Sequence, residues 1–116
     1  MAFSEDEKRT ILEQLEEQFW AHHRPPLKLR DKVREGQRIE GHAIELFLNR
    51  PAFRSSAEWI EERIARIRYF RSRDAWAIYW QRADLKWHRY PPCPETKTLS
   101  AALAVISEDE HACFFG

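Results

Sequence analysis

Glycine is scarce in this sequence, with three residues in 116. That leaves no material for a phosphate-cradling loop, a dinucleotide fingerprint or a G-x-S-x-G elbow, and none of these motifs occurs. Cysteine is almost absent. Cys93 and Cys113 are the only two, with no CxxC or HExxH spacing around them, and a secreted domain of this size usually carries more bridges. No apolar run approaches the ~18 residues of a membrane-spanning helix. The opening MAFSEDEKRT puts acids where a secretory signal needs basic residues and then an apolar stretch. An excess of one charge is missing too: 19 basic and 19 acidic side chains cancel, so overall basicity gives no argument for a nucleic-acid binder. These absences point to a cytoplasmic protein with two reduced thiols, no cofactor motif and no membrane partner.

What is present suits one modest hydrophobic core. The chain is 43% hydrophobic and 13% aromatic, and residues 1–116 read as a single domain. Ser4 followed three residues later by Glu7 has the spacing of a capping box, and Glu5 and Asp6 complement the positive end of a helix dipole. Ile11, Leu12, Leu15 and Phe19 then recur at helical spacing until Pro25 and Pro26 stop the helix.

The period next changes to two. Leu27, Leu29 and Val33 alternate with Lys28, Arg30, Lys32 and Arg34, which predicts a one-sided strand. Glu35-Gly36-Gln37 reads as a tight turn into a second strand holding Ile44, Leu46 and Leu48. Gly41 is a bulge or bend in that strand, Arg50-Pro51 closes it, and 52–57 is loop. A third strand covers 63–71, with Ala65, Ile67 and Tyr69 opposite Arg66, Arg68 and Phe70. Ser72-Arg73-Asp74 turns into a fourth strand, 75–81, apolar on both faces and therefore central. Ala83-Asp84-Leu85 turns again into 86–90. Leu99, Ala102, Leu103 and Ile106 mark a final helix capped by Thr96 or Thr98. The expected fold class is α+β: an antiparallel meander of about five strands packed by an N-terminal and a C-terminal helix.

The block YFRSRDAWAIYWQRADLKWHRY (69–90), the terminal CFFG, the opening MAFSEDEK and the segment VREGQRIEGHAIELF resemble a bacterial family catalogued as domain of unknown function 3024. The likeness spans nearly the whole chain, with the tryptophan-rich block its most specific part. It implies a small bacterial protein of this length and carries over no activity and no catalytic position.

Charge is uneven along the chain. Residues 1–27 hold three basic and six acidic side chains, 28–97 hold sixteen and ten, and 98–116 hold none and three. The strand region is therefore cationic between anionic helices. One reading is a sheet face presenting Lys28, Arg30, Lys32, Arg34, Arg66 and Arg68 beside Trp80, Trp87 or Tyr79, able to neutralise phosphates and stack unpaired bases. The plainer reading pairs these cations with acids such as Glu45 and buries the five tryptophans. The favoured function is a non-enzymatic module for an anion such as single-stranded nucleic acid. A second is protein interaction or homodimerisation through an apolar sheet face. A third is an enzyme or metal protein using His88, His111 and Cys113, since Asp109, His111 and Cys113 share one side of an extended tail. The rings of Phe114 and Phe115 are expected to dock on the sheet or a helix, with Gly116 near the surface.

Overall fold

Ser4 opens the first helix as its spacing requires. Its hydroxyl accepts from the Glu7 amide at 3.1 Å, and the Glu7 carboxylate accepts from the Ser4 amide at 2.9 Å. The computed structural model describes residues 2–26, 28, 32–52 and 55–115, with backbone alone for 55–57. Helix α1, Glu5–Leu15, continues through a π-helical turn, Glu16–Trp20, into a last turn α2, Ala21–His23. The widened turn lets the consecutive Phe19 and Trp20 both enter the core.

Six antiparallel strands follow: β1 Arg34–Glu40, β2 Ala43–Ala52, β3 Ser55–Phe70, β4 Ala75–Gln81, β5 Trp87–Arg89 and β6 Glu95–Thr96. The order is β1-β2-β3-β4-β5, with β6 also on β4. Helix α3, Leu99–Glu108, closes the α+β fold. Thr98 caps it by accepting from the Ala101 amide at 3.1 Å. Both helical segments pack on one face of the sheet. There Ile11, Leu15, Phe19, Leu99, Leu103 and Ile106 meet Ile44, Leu46, Ile67 and Ile78 in one core cluster.

Several expectations need correction. Lys28 and Lys32 precede β1 and lie on no strand, while Leu27, Leu29 and Arg30 fall outside the described residues. Alternation alone does not make a strand. The β1–β2 ladder ends at Arg34 opposite Asn49, and β2 continues past it paired with β3 only. Glu35-Gly36-Gln37 is strand, not turn. The hairpin turn falls at Gly41-His42, where Gly41 has φ 57°, a backbone that glycine adopts freely.

Ser55–Ala57 belongs to β3 and not to a loop, so β3 is 16 residues long. Pro51 lies within β2 opposite Trp59. It sits beyond the end of β1, where the outer edge of β2 needs no N–H. A bulge between Leu46 and Phe47 sends the consecutive Ile64 and Ala65 both into the core. Strand β6 follows three prolines and is two residues long, too short for a periodicity signal. The tail after α3 turns at Ala112, φ 55°, instead of extending.

Candidate functional site

Alternation across the registered strands sorts the side chains of the sheet between two faces. The helix-covered face takes Gln37, Ile39, Ile44, Leu46, Ala65, Ile67, Tyr69, Trp76, Ile78, Trp80 and His88. The opposite face takes Arg34, Arg38, Glu45, Phe47, Trp59, Arg63, Arg66, Arg68, Phe70, Tyr79, Trp87 and Arg89. Among the described residues that face carries no helix, yet Ala75 and Ala77 on it are buried. Guanidinium groups spread over aromatic rings provide the cover. Arg38 lies 5.0 Å from the Phe47 ring, Arg73 4.0 Å and Arg68 5.0 Å from Phe70, Arg89 5.5 Å from Tyr79, and Arg34 5.7 Å from Trp59.

Most of these cations have carboxylate partners. Arg38 binds Glu61 and lies 3.9 Å from Glu45. Arg73 binds Glu95, which Arg89 also reaches at 3.3 Å. The Arg73 guanidinium holds the Glu95 carboxyl below the usual range. Arg66 and Arg68 differ, because neither makes an ion pair among the described residues. Arg66 stands across the ladder from Glu45, whose carboxylate is oriented to Arg38. Arg66, Arg68, Tyr79 and Trp87 line one shallow hollow of about 200 Å³. A second hollow of about 320 Å³ on the same face is lined by Arg34, Asn49 and Trp59. Six residue steps of β2 run from Glu45 opposite Arg66, at the first hollow, to Pro51 opposite Trp59, at the second. That is roughly 20 Å at the rise of a β-strand.

Of the residues singled out in the sequence, Arg34, Arg66, Arg68, Tyr79 and Trp87 share this face. Trp80 does not. It points to the helix side, where its Nε1 is buried without an acceptor among the described residues, under Arg82 at 5.6 Å. Lys28 and Lys32 are exposed but outside the sheet, and Arg30 lies outside the described residues. Phe70 falls on the side of Arg66 and Arg68 that the alternation of the third strand gave it, whereas Arg38, Arg73 and Arg89 were not foreseen as part of the face. Arg38 sits in a stretch read partly as turn, and Arg73 reaches Phe70 from the β3–β4 turn.

The residues of the metal and enzyme reading are engaged locally. His88 contacts Asp84 at 2.9 Å. Asp109 accepts from the Phe114 amide at 2.9 Å and the Phe115 amide at 2.8 Å. Burial and the Asp109 charge push the Cys113 thiol up, which makes it a poorer nucleophile. Among the described residues no group of three or more His, Cys, Asp or Glu side chains is placed to hold a metal. No helix of the described residues is long and apolar enough to cross a membrane.

Fold and face define a class: a sheet with helices on one side and an arginine–aromatic layer on the other. The chain belongs to the family described as domain of unknown function (DUF3024), which matches it over residues 3–116. No curated protein and no solved structure matches it.

Proposed function

We propose that this chain is a one-domain, non-enzymatic binding module of the bacterial cytoplasm whose helix-free sheet face takes an extended polyanion, single-stranded nucleic acid being the favoured ligand. The observation that carries this reading is the hollow at Arg66 and Arg68, two guanidinium groups without carboxylate partners among the described residues, flanked by the rings of Tyr79 and Trp87. Guanidinium groups neutralise phosphates, and flat rings stack any base with little regard to sequence. The second hollow at Arg34 and Trp59 extends the same chemistry along β2 and β3 and calls for a ligand long enough to reach both. Fluorescence anisotropy with labelled single strands tests it. An oligonucleotide of about 12 nucleotides should bind at micromolar protein and one of about 4 nucleotides much more weakly. Equal, salt-insensitive signals for both, or none, remove the reading.

A second reading, a protein-interaction module, is favoured by one other observation. Beyond Asn49 the sheet narrows to a β2–β3 hairpin, on which Trp59 is 47% and Ile60 38% exposed. It predicts self-association or partner capture that survives high salt and is lost with Trp59→Ser. The apolar contact would then lie on this hairpin, since helices and arginines cover the two sheet faces.

A further inference from the structure

A cavity of about 310 Å³ opens between the start of α1 and the sheet, away from the arginine-bearing face. Its size is at the lower end of small-molecule pockets, which run from roughly 300 to 1,000 Å³. The floor is aromatic. Tyr69 and Trp76 lie 4.6 Å apart and Phe3 is stacked 6.0 Å from each. The rim is acidic, with Asp6, Glu7 and Asp74, and among the described residues no lysine or arginine lines the cavity.

The three carboxylates are not equivalent. Glu7 is neutralised by Arg71 at 3.0 Å, whose guanidinium also lies 5.6 Å over the Tyr69 ring. Asp6 has only an exposed contact with Arg9 at 3.5 Å, a kind of pair that contributes little. Asp74 has no cationic partner among the described residues. The Tyr69 hydroxyl donates to its Oδ1 at 2.7 Å, which orients the carboxylate and, among the described residues, leaves Oδ2 without a donor. An oriented anion beside aromatic faces suits a positively charged group carried on an apolar stem, because the Asp74 carboxylate attracts the cation while Trp76 and the edge of Tyr69 cover the methylenes.

We propose that this cavity binds an alkylammonium group, with the nitrogen at Asp74 and Asp6 and the hydrocarbon stem along Tyr69 and Trp76. The group has two sources, a free aliphatic amine or a lysine side chain on a partner. Two probes separate them: n-pentylamine, and a glycine–lysine–glycine peptide blocked at both ends. Each is titrated into the full chain while the Trp76 indole and the Asp74 and Tyr69 amides are followed by NMR.

The expected result is saturable shifts at these groups, with pentanol, the neutral analogue, producing none. Tighter binding of pentylamine assigns the free amine, and tighter binding of the peptide assigns the lysine side chain. Asp74→Asn should weaken binding about tenfold through loss of a charge-assisted bond. It also keeps the fold, because position 74 has φ 46° and asparagine tolerates that backbone well. Shifts absent at millimolar probe, equal shifts with pentanol, or unchanged affinity in Asp74→Asn would each overturn the proposal. The pentanol comparison needs no variant. The cavity is independent of the arginine face, so failure here leaves the polyanion reading intact.

Discussion

The Phe47 ring covers Gly36 so closely that a Cβ at residue 36 would stand 2.5 Å from Phe47 Cε2. The two are opposed across β1 and β2, and the Arg38 guanidinium lies 5.0 Å from the centre of the same ring. Glycine is therefore required here for close approach rather than for an unusual backbone. Gly36→Ala should destabilise the protein by about 1 kcal/mol or more through overpacking. In a Phe47→Leu background the penalty should shrink, which a double-mutant cycle in urea measures. An alanine that stabilises β1 would contradict the packing account.

Stability should fall in acid through identifiable carboxylates. The Ser4 amide, and after it Arg71, hold Glu7 below its ordinary value of 4.5. A depressed folded value means that the unfolded chain binds the proton more readily. The stabilisation is thus complete above about pH 4.5 and is lost as pH falls through the folded value. The urea midpoint should decline from about pH 5 downward, and Glu7→Gln should decline less steeply. Identical slopes for the two proteins would refute this. His23 is pushed down from 6.5 mainly by burial, so a separate loss begins as pH falls through that value, and His23→Gln should remove it.

Trp20 and Trp80 should respond differently to phenylalanine. The Trp20 indole donates to Gln37 Oε1 at 3.0 Å, whereas Trp80 Nε1 is buried without an acceptor among the described residues. Trp20→Phe removes a satisfied bond and strands the Gln37 amide oxygen, costing about 1 kcal/mol beyond lost area. Trp80→Phe removes an unsatisfied donor, so it should be close to neutral. Thermal denaturation of the two variants separates them, and an equal loss for both would contradict the assignment.

The chain end is docked by its penultimate rings to different degrees. Phe114 is 5% exposed and lies 4.8 Å from Tyr90. Phe115 is 42% exposed and rests on His23 at 4.8 Å. Phe114→Ala should cost about 3 kcal/mol and Phe115→Ala clearly less. Equal midpoints in urea for the two variants would refute this difference.

The expectation that both rings dock is met by this arrangement, while Gly116 lies outside the described residues. Legibility elsewhere followed the strength of local signals. The Ser4–Glu7 capping box, the Leu99 to Ile106 stripe and the bounds of β4 were readable because cap, period and flanking turns agreed. At Lys28, Lys32 and Val33 the alternation misled, because period two describes a half-buried strand only where a neighbour supplies the ladder. Gly36 was read as a turn former because close approach of a ring from another strand leaves no mark on the glycine's own neighbours. Residues 58–62, Glu-Trp-Ile-Glu-Glu, carry no alternation of burial because the hairpin there is exposed on both sides.

The candidate face was legible in part for the same reason. Arg66 and Arg68 alternate with Ala65 and Ile67 inside a well-marked strand, so their shared side followed from the pattern. Trp80 was placed with them because its residue type suggested stacking. The strand's own alternation, Trp76-Ile78-Trp80, assigns it to the helix side. Which arginines carboxylates neutralise depends on pairing across strands, as with Arg38 and Glu61, and no local pattern contains that.

The most direct measurement is the salt dependence of single-strand affinity for the wild type and for Arg66→Gln/Arg68→Gln. Each phosphate neutralised contributes about 0.7 to the slope of log K against log salt. The double variant, with ion pairs and aromatic cover otherwise intact, should bind more weakly and show a slope shallower by roughly 1.4. An unchanged affinity and slope would mean that these two guanidinium groups meet no phosphate.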